Sequence, residues 1–211
     1  VACALSRGDS ILFIGDSITD CGRRAGQVGP LGKGYPLLLS ARLSAEFPAL
    51  GLGFVNKGVS GDRMKDLASR WRRDCLALRP SIVSILAGVN DTWRRFDCGE
   101  ETRSPDFEQD YRSILDATRR ETSARLVLCE PFALLCGFVT KAWREDLDPK
   151  IAVVRKLAAE FGAVLVPLDR IFAEASVQAP PQYWAEDGVH PTAAGHGLIA
   201  QAWLKYVLDI R

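Results

Sequence analysis

A serine stands where an apolar run ends: Ile11-Leu12-Phe13-Ile14 leads into Gly15-Asp16-Ser17-Ile18. Far downstream lies Asp187-Gly188-Val189-His190-Pro191. A serine hydroxyl becomes a useful nucleophile only when a base takes its proton and a third group orients that base. Ser17, His190 and Asp187 can fill those three roles, with the carboxylate steadying the imidazole from a compact turn. Attack on an acyl carbon would leave negative charge on the former carbonyl oxygen. Donors must already surround that oxygen, and losing one typically costs about a hundred- to thousandfold in rate. The Ser17 backbone N–H, at a helix N-terminus, is one candidate. A second is the backbone at a glycine, Gly58 or Gly61, within Asn56-Lys57-Gly58-Val59-Ser60-Gly61-Asp62. A third is the side-chain amide of Asn90 in Gly88-Val89-Asn90-Asp91. His190 would act first as base and then as acid for the leaving alcohol. Each piece alone is common; together they spell ester hydrolysis.

These segments must be brought together by the fold. Short apolar runs over 11–14, 53–56, 82–87, 126–129 and 164–168 alternate with helical patterns over 35–47, 64–78, 107–122, 148–161 and 193–208. Continuous apolar strands are buried on both faces, and their alternation with helices implies a parallel sheet. The expectation is one three-layer α/β/α domain spanning 1–211, with about five strands and right-handed crossovers. Ligands of such sheets bind outside the carboxyl ends of the strands. The four segments above fall there. So do two long loops, a polar one over 93–105 and an apolar one over 131–145.

Composition narrows the function. The chain has 211 residues, 47% hydrophobic and 25% charged, with a formal net charge of +1, so nothing favours a nucleic-acid partner. The run Arg70-Trp71-Arg72-Arg73 is read as a solvated helix face beside Asp66 and Asp74. No apolar stretch is long enough for a membrane span. Six cysteines without CxxC spacing read as free thiols, which places the protein in the cytoplasm. Gly29-Pro30-Leu31-Gly32-Lys33-Gly34 lacks phosphate-loop spacing, and two histidines without HExxH give no metal site. No cofactor is expected.

Gly15-Asp16-Ser17, Ser60-Gly61-Asp62, Gly88-Val89-Asn90-Asp91 and Asp187 to His190 resemble the blocks of the SGNH (GDSL-type) hydrolase superfamily over nearly the whole chain. The resemblance implies a flavodoxin-like fold, a Ser17–His190–Asp187 triad and an oxyanion hole from Ser17, Gly61 and Asn90. It selects Gly61 over Gly58. Gly15 through Arg23, Asn56-Lys57-Gly58 and Gly88 through Arg94 are similar to the intracellular acetyl-xylan esterase branch. That similarity implies a small acetylated sugar as substrate, no cofactor, and a chain for which self-association would be in keeping. Relatives there place a tryptophan directly before the triad aspartate; here that residue is Glu186, and the tryptophan is Trp184. A lysophospholipase or thioesterase of the same superfamily is the alternative. A catalytically inactive carbohydrate-binding module and a flavin protein of similar architecture are the readings from other classes.

Secondary candidates follow. Asp16 is read as structural, accepting backbone N–H bonds in the nucleophile turn. His196 is assigned to the surface or packing of the last helix. Trp93 and Trp184 are candidate sugar-stacking residues, with ordinary packing as the alternative. The apolar loop 131–139 is read as a subunit contact or a core cover.

Overall fold

Apolar runs become strands here because helices cover both of their faces. The computed structural model describes residues 4–23 and 29–210. Among these, one five-stranded sheet contains β1 (Ser10–Gly15), β2 (Gly53–Asn56), β3 (Ile82–Leu86), β4 (Arg125–Cys129) and β5 (Val164–Val166). All pairings are parallel, in the order β2-β1-β3-β4-β5. The helices in chain order are α1 (Ser17–Asp20), α2 (Tyr35–Glu46), α3 (Met64–Asp74), α4 (Val89–Asp97), α5 (Ser104–Glu121), α6 (Ala142–Glu160), α7 (Leu168–Ala175), α8 (Pro181–Trp184) and α9 (Ala193–Trp203).

Successive side chains on a strand point to opposite faces. On β1, Ile11 and Phe13 enter one core with Leu39 and Leu43 of α2, Phe172 of α7 and Trp203 of α9. Leu12 and Ile14 enter the other, with Leu67 and Trp71 of α3, Tyr111 and Leu115 of α5, and Leu157 of α6. The result is the expected three-layer α/β/α architecture. The chain leaves β1 toward β2 on one side and returns to β3 on the other, so a crevice opens above the carboxyl ends of these three strands.

Several boundaries differ from the sequence-based expectation for local reasons. The fifth strand stops at Val166 because Pro167 has no N–H to continue the ladder, and α7 begins at once. Helix α3 stops at Asp74, and a separate tight turn covers Leu76–Leu78. Helix α6 starts at Ala142, ahead of the expected 148, and carries Pro149 in its interior. The expected loop 93–105 is helical as far as Asp97. The last regular helix ends at Trp203, followed by one π turn over Leu204–Leu208.

The Arg70–Arg73 run is not a uniformly solvated face. Leu67, Arg70, Trp71 and Asp74 lie three and four residues apart on one side of α3, and all four are buried. Only Arg72 and Arg73 reach solvent, with side chains 79% and 76% exposed. Cys21, Cys75, Cys98, Cys129 and Cys136 are free thiols, while Cys3 lies outside the described residues. Burial pushes the Cys75 and Cys129 thiols up to about 12, so neither is a reactive thiolate. Among the described residues no helix is long and apolar enough to cross a membrane.

Trp203 links α9 to the sheet. It is fully buried, packs edge-on to Phe13 at 6.0 Å between ring centroids, and donates its indole N–H to Ser84 Oγ of β3 at 3.1 Å. Trp203→Ala should cost about 3–5 kcal/mol of stability. Trp203→Phe should cost roughly 1–3 kcal/mol, chiefly from the donor lost to the Ser84 hydroxyl. Urea unfolding of both variants checks this ordering; equal costs would contradict it.

Candidate active site

The nucleophile turn is built from side chains bonding to nearby backbone. Strand β1 ends at Gly15, and Asp16 caps α1 by accepting the Ile18 N–H on Oδ1 at 3.0 Å. The single helical turn closes at Cys21, in the left-handed conformation, whose N–H donates to the Ser17 carbonyl at 2.9 Å. Ser17 therefore sits at the head of α1, partly exposed above the sheet.

The loop after β2 is stitched to this turn. Asn56 donates through Nδ2 to the Thr19 carbonyl (2.6 Å) and accepts the Gly58 N–H (2.8 Å). Ser60 donates to Asp20 Oδ2 at 3.0 Å, and Arg23 donates to the Gly58 carbonyl at 2.5 Å. The two candidate glycines separate on packing. A Cβ on Gly58 would lie 2.2 Å from the Asp20 nitrogen, so that glycine permits close contact with α1. Gly61, at φ +88°, has open space around it; its nearest neighbour would be Arg94 Nη2 at 3.9 Å. Gly61 is thus the glycine whose backbone is not consumed by packing.

Ser17, His190 and Asp187 come together across the chain. Ser17 Oγ lies 2.9 Å from His190 Nε2, and His190 Nδ1 lies 2.6 Å from Asp187 Oδ2. With Nδ1–H donating to the carboxylate, Nε2 carries the lone pair that can take the serine proton. Asp187 Oδ1 accepts the N–H groups of Val189 (2.9 Å) and His190 (2.7 Å). Burial raises the Asp187 pKa, but these bonds outweigh it and hold the carboxyl below its ordinary range. The aspartate is therefore ionised when it orients the ring. The 185–191 turn is braced by the loop after β4, where the Leu134 N–H donates to the Gly188 carbonyl at 2.8 Å. Core cover is thus one role of that loop: Phe132, Leu134 and Val139 are buried.

Asn90, near the start of α4, is buried and donates through Nδ2 to the Asp62 carbonyl at 3.1 Å. That bond leaves one amide hydrogen for another acceptor. Its neighbour Asp91 accepts the Met64 N–H at 3.0 Å, tying α4 to α3. Burial raises both Asp16 and Asp91 to about 7, and the Asp91 charge adds to the Asp16 shift. Asp16 Oδ2 has no hydrogen-bond partner among the described residues.

The remaining candidates divide. Trp93 reaches the site, its ring 5.5 Å from that of His190, with Phe138 at 4.5 Å and Trp143 at 5.8 Å beyond it. Phe138 was hidden in the apolar loop; composition marked the loop without showing where it points. Trp184 is not brought to the triad. Its indole N–H donates to the carbonyls of Ala175 and Ala179 at 3.1 and 3.3 Å, beside α7 and α9. His196 is a buried packing residue whose Nδ1 accepts the Tyr35 N–H at 3.2 Å; burial lowers it to about 4, so its ring is neutral. Among the described residues no group of three or more His, Cys, Asp or Glu side chains gathers to hold a metal ion.

This arrangement can perform acyl transfer. Ser17 Oγ can pass its proton to His190 and attack, while candidate donors for the developing oxyanion come from the ends of three adjacent strands. Comparison with known proteins agrees. A family model for the GDSL-like Lipase/Acylhydrolase family matches residues 13–198. An acetylxylan esterase of Geobacillus stearothermophilus is 36% identical over 96% of this chain and 95% of its own. Its crystal structure superposes with a TM-score of 0.88 at 35% identity, covering 97% of this chain and 96% of that one. Solved variants of that esterase include catalytic mutants in which a serine, an aspartate or a histidine is replaced by alanine. Thioesterase 1/protease 1/lysophospholipase L1 of Escherichia coli K12 is 26% identical over 95% of this chain and 84% of its own.

The raised Asp16 pKa has a testable sign. Folded Asp16 keeps its proton up to about pH 7, whereas the unfolded chain releases it near 3.8. Its contribution to stability is therefore fully present below the unfolded value and is lost as pH rises toward 7. Asp16→Asn should gain stability relative to wild type across that window, by up to about 4 kcal/mol. Urea midpoints at pH 4, 5.5 and 7.5 measure it, and parallel profiles would contradict it.

Proposed function

Because the chain belongs to the GDSL-like lipase/acylhydrolase family and is a serine esterase, we propose that it removes acetyl groups from O-acetylated carbohydrates, xylo-oligosaccharides in particular. Ser17 attacks the acetyl carbon as its proton moves to His190. The carbonyl oxygen becomes an oxyanion held by the N–H groups of Ser17 and Gly61 and the amide of Asn90. Collapse expels the sugar alkoxide, which takes the proton from His190, and an acetyl-serine remains. Water, deprotonated by His190, then attacks that ester; acetate leaves and Ser17 regains its proton. Asp187 holds the ring in one tautomer throughout.

The observation that carries the substrate reading is the position of Trp93. The leaving oxygen must lie within hydrogen-bonding reach of His190 Nε2, so the departing group lies beside the ring that Trp93 adjoins at 5.5 Å. Phe138, 43% exposed, extends this aromatic surface outward. Aromatic faces suit the apolar C–H face of a sugar. The likeness to an acetylxylan esterase supports the same class.

Acetate release from acetylated xylo-oligosaccharides, by wild type, Ser17→Ala and Trp93→Ala, tests the proposal. Wild type should release acetate, and Ser17→Ala should lose at least about a thousandfold in kcat. Trp93→Ala should lose roughly three- to tenfold in kcat/KM on the sugar relative to ethyl acetate. No release from the sugar, with turnover of long-chain acyl esters or thioesters instead, would move the substrate toward that of the Escherichia coli relative.

A further inference from the structure

Arg70 is the one arginine of its run that is buried, and three of its four bonding partners lie at the active-site crevice or its base. Its side chain is 9% exposed. Nε donates to Asp62 Oδ2 at 2.6 Å, and Nη1 donates to the Lys57 carbonyl at 2.8 Å and to Asp74 Oδ2 at 3.1 Å. Nη2 donates to the Gly15 carbonyl at 3.1 Å. Gly15 lies two residues before Ser17, at the end of β1. Lys57 and Asp62 belong to the loop after β2, and Asp62 follows Gly61 directly. The Asp62 carbonyl in turn accepts the Asn90 amide from the start of α4 at 3.1 Å. One guanidinium thus touches two of the three segments that supply oxyanion donors and reaches the third through one residue.

We infer that Arg70 is a positioning residue for the oxyanion hole: it sets the spacing of the Ser17, Gly61 and Asn90 donors while touching no reacting atom. The chemistry of the side chain fits this role. A guanidinium presents five N–H groups in a rigid plane and can meet two carbonyls and two carboxylates at once, whereas an ammonium is a single point charge. Spacing matters because a misplacement of about 1 Å in a catalytic constellation can cost about a hundredfold. The remaining contact, with Asp74, anchors the fork to α3; the Arg73 guanidinium beside that carboxylate, with Arg70 second to it, holds its pKa at about 2. Asp74 is thus a permanent anion beneath Arg70.

The inference rests on Ser17 as nucleophile and not on which sugar is the substrate, so its test uses an aryl acetate. Arg70→Lys keeps the charge and removes the fork. Its kcat should fall about 30- to 100-fold with KM within about threefold of wild type. Affinity for a trifluoromethyl ketone, whose adduct with serine carries the oxyanion, should fall by a similar factor. Trp71→Phe serves as the stability comparator. On the same turn of α3 as Arg70, it removes the indole bond to Thr118 Oγ1 of α5 and should lower Tm while keeping kcat within about threefold of wild type. Should Arg70→Lys fail to fold, Asp62→Asn takes its place, with an expected kcat loss of about tenfold at unchanged KM from the weakened charge-assisted bond. The inference is overturned if the variant keeps kcat within about threefold, loses no more than Trp71→Phe, or loses kcat with ketone affinity unchanged. Wild type lacking Ser17-dependent turnover of the aryl acetate would instead defeat the reading of the site itself.

Discussion

A parallel sheet delivers the carboxyl ends of neighbouring strands side by side, about 4.8 Å apart, and the candidate site depends on that spacing. The order β2-β1-β3 makes the three adjacent ends those of the first three strands in sequence. Ser17 follows one, Gly61 another and Asn90 the third. The ladder sets the spacing of these three candidate donor segments through backbone bonds the core already requires. His190 and Asp187 come from the far end of the chain, and their turn is fixed by the Asp187 carboxylate, which accepts the Val189 and His190 N–H groups, and by the loop after β4.

Close packing of polar groups under this crevice has electrostatic consequences. Asp16 and Asp91 are buried beside the nucleophile and the candidate donor, and burial raises both to about 7, so each carboxyl is mostly neutral below that pH. Asp187 behaves oppositely because the His190 ring and two backbone N–H groups bond to it. Fuller burial of Asp16 and Asp91, and the greater number of bonds accepted by the less buried Asp187, together set these opposite shifts. Arg70 adds fixed positive charge below, paired with Asp62 and Asp74.

Much of this was legible in the sequence because the chemistry-bearing segments sit at the ends of apolar runs. Ser17, Asn90, Asp187 and His190 each stand in such a segment, and the alternation of elements foretold the parallel sheet. What was not legible depends on the third dimension. The residues alone leave Gly58 and Gly61 open and only the family resemblance selects Gly61; in the fold they differ in φ and in what a Cβ would strike. Arg70 sits in a run of charges that reads as solvated, although its spacing from Leu67 and Asp74 already put it on the buried side of α3. Trp184 lies three residues from Asp187, yet a short helix turns its indole toward α7. Phe138 meets Trp93 only because the loop after β4 folds back over the crevice. Proximity along the chain does not say which way a side chain faces.

The central claim is that Ser17 becomes covalently acetylated during turnover. Rapid acid quenching of enzyme mixed with an activated acetyl ester, followed by intact-mass and peptide mass spectrometry, tests it directly. The account predicts one acetyl group per chain, located on the peptide containing Ser17 and absent from Ser17→Ala. Steady turnover with no acetylated Ser17, or with the acetyl group on another side chain, would contradict it.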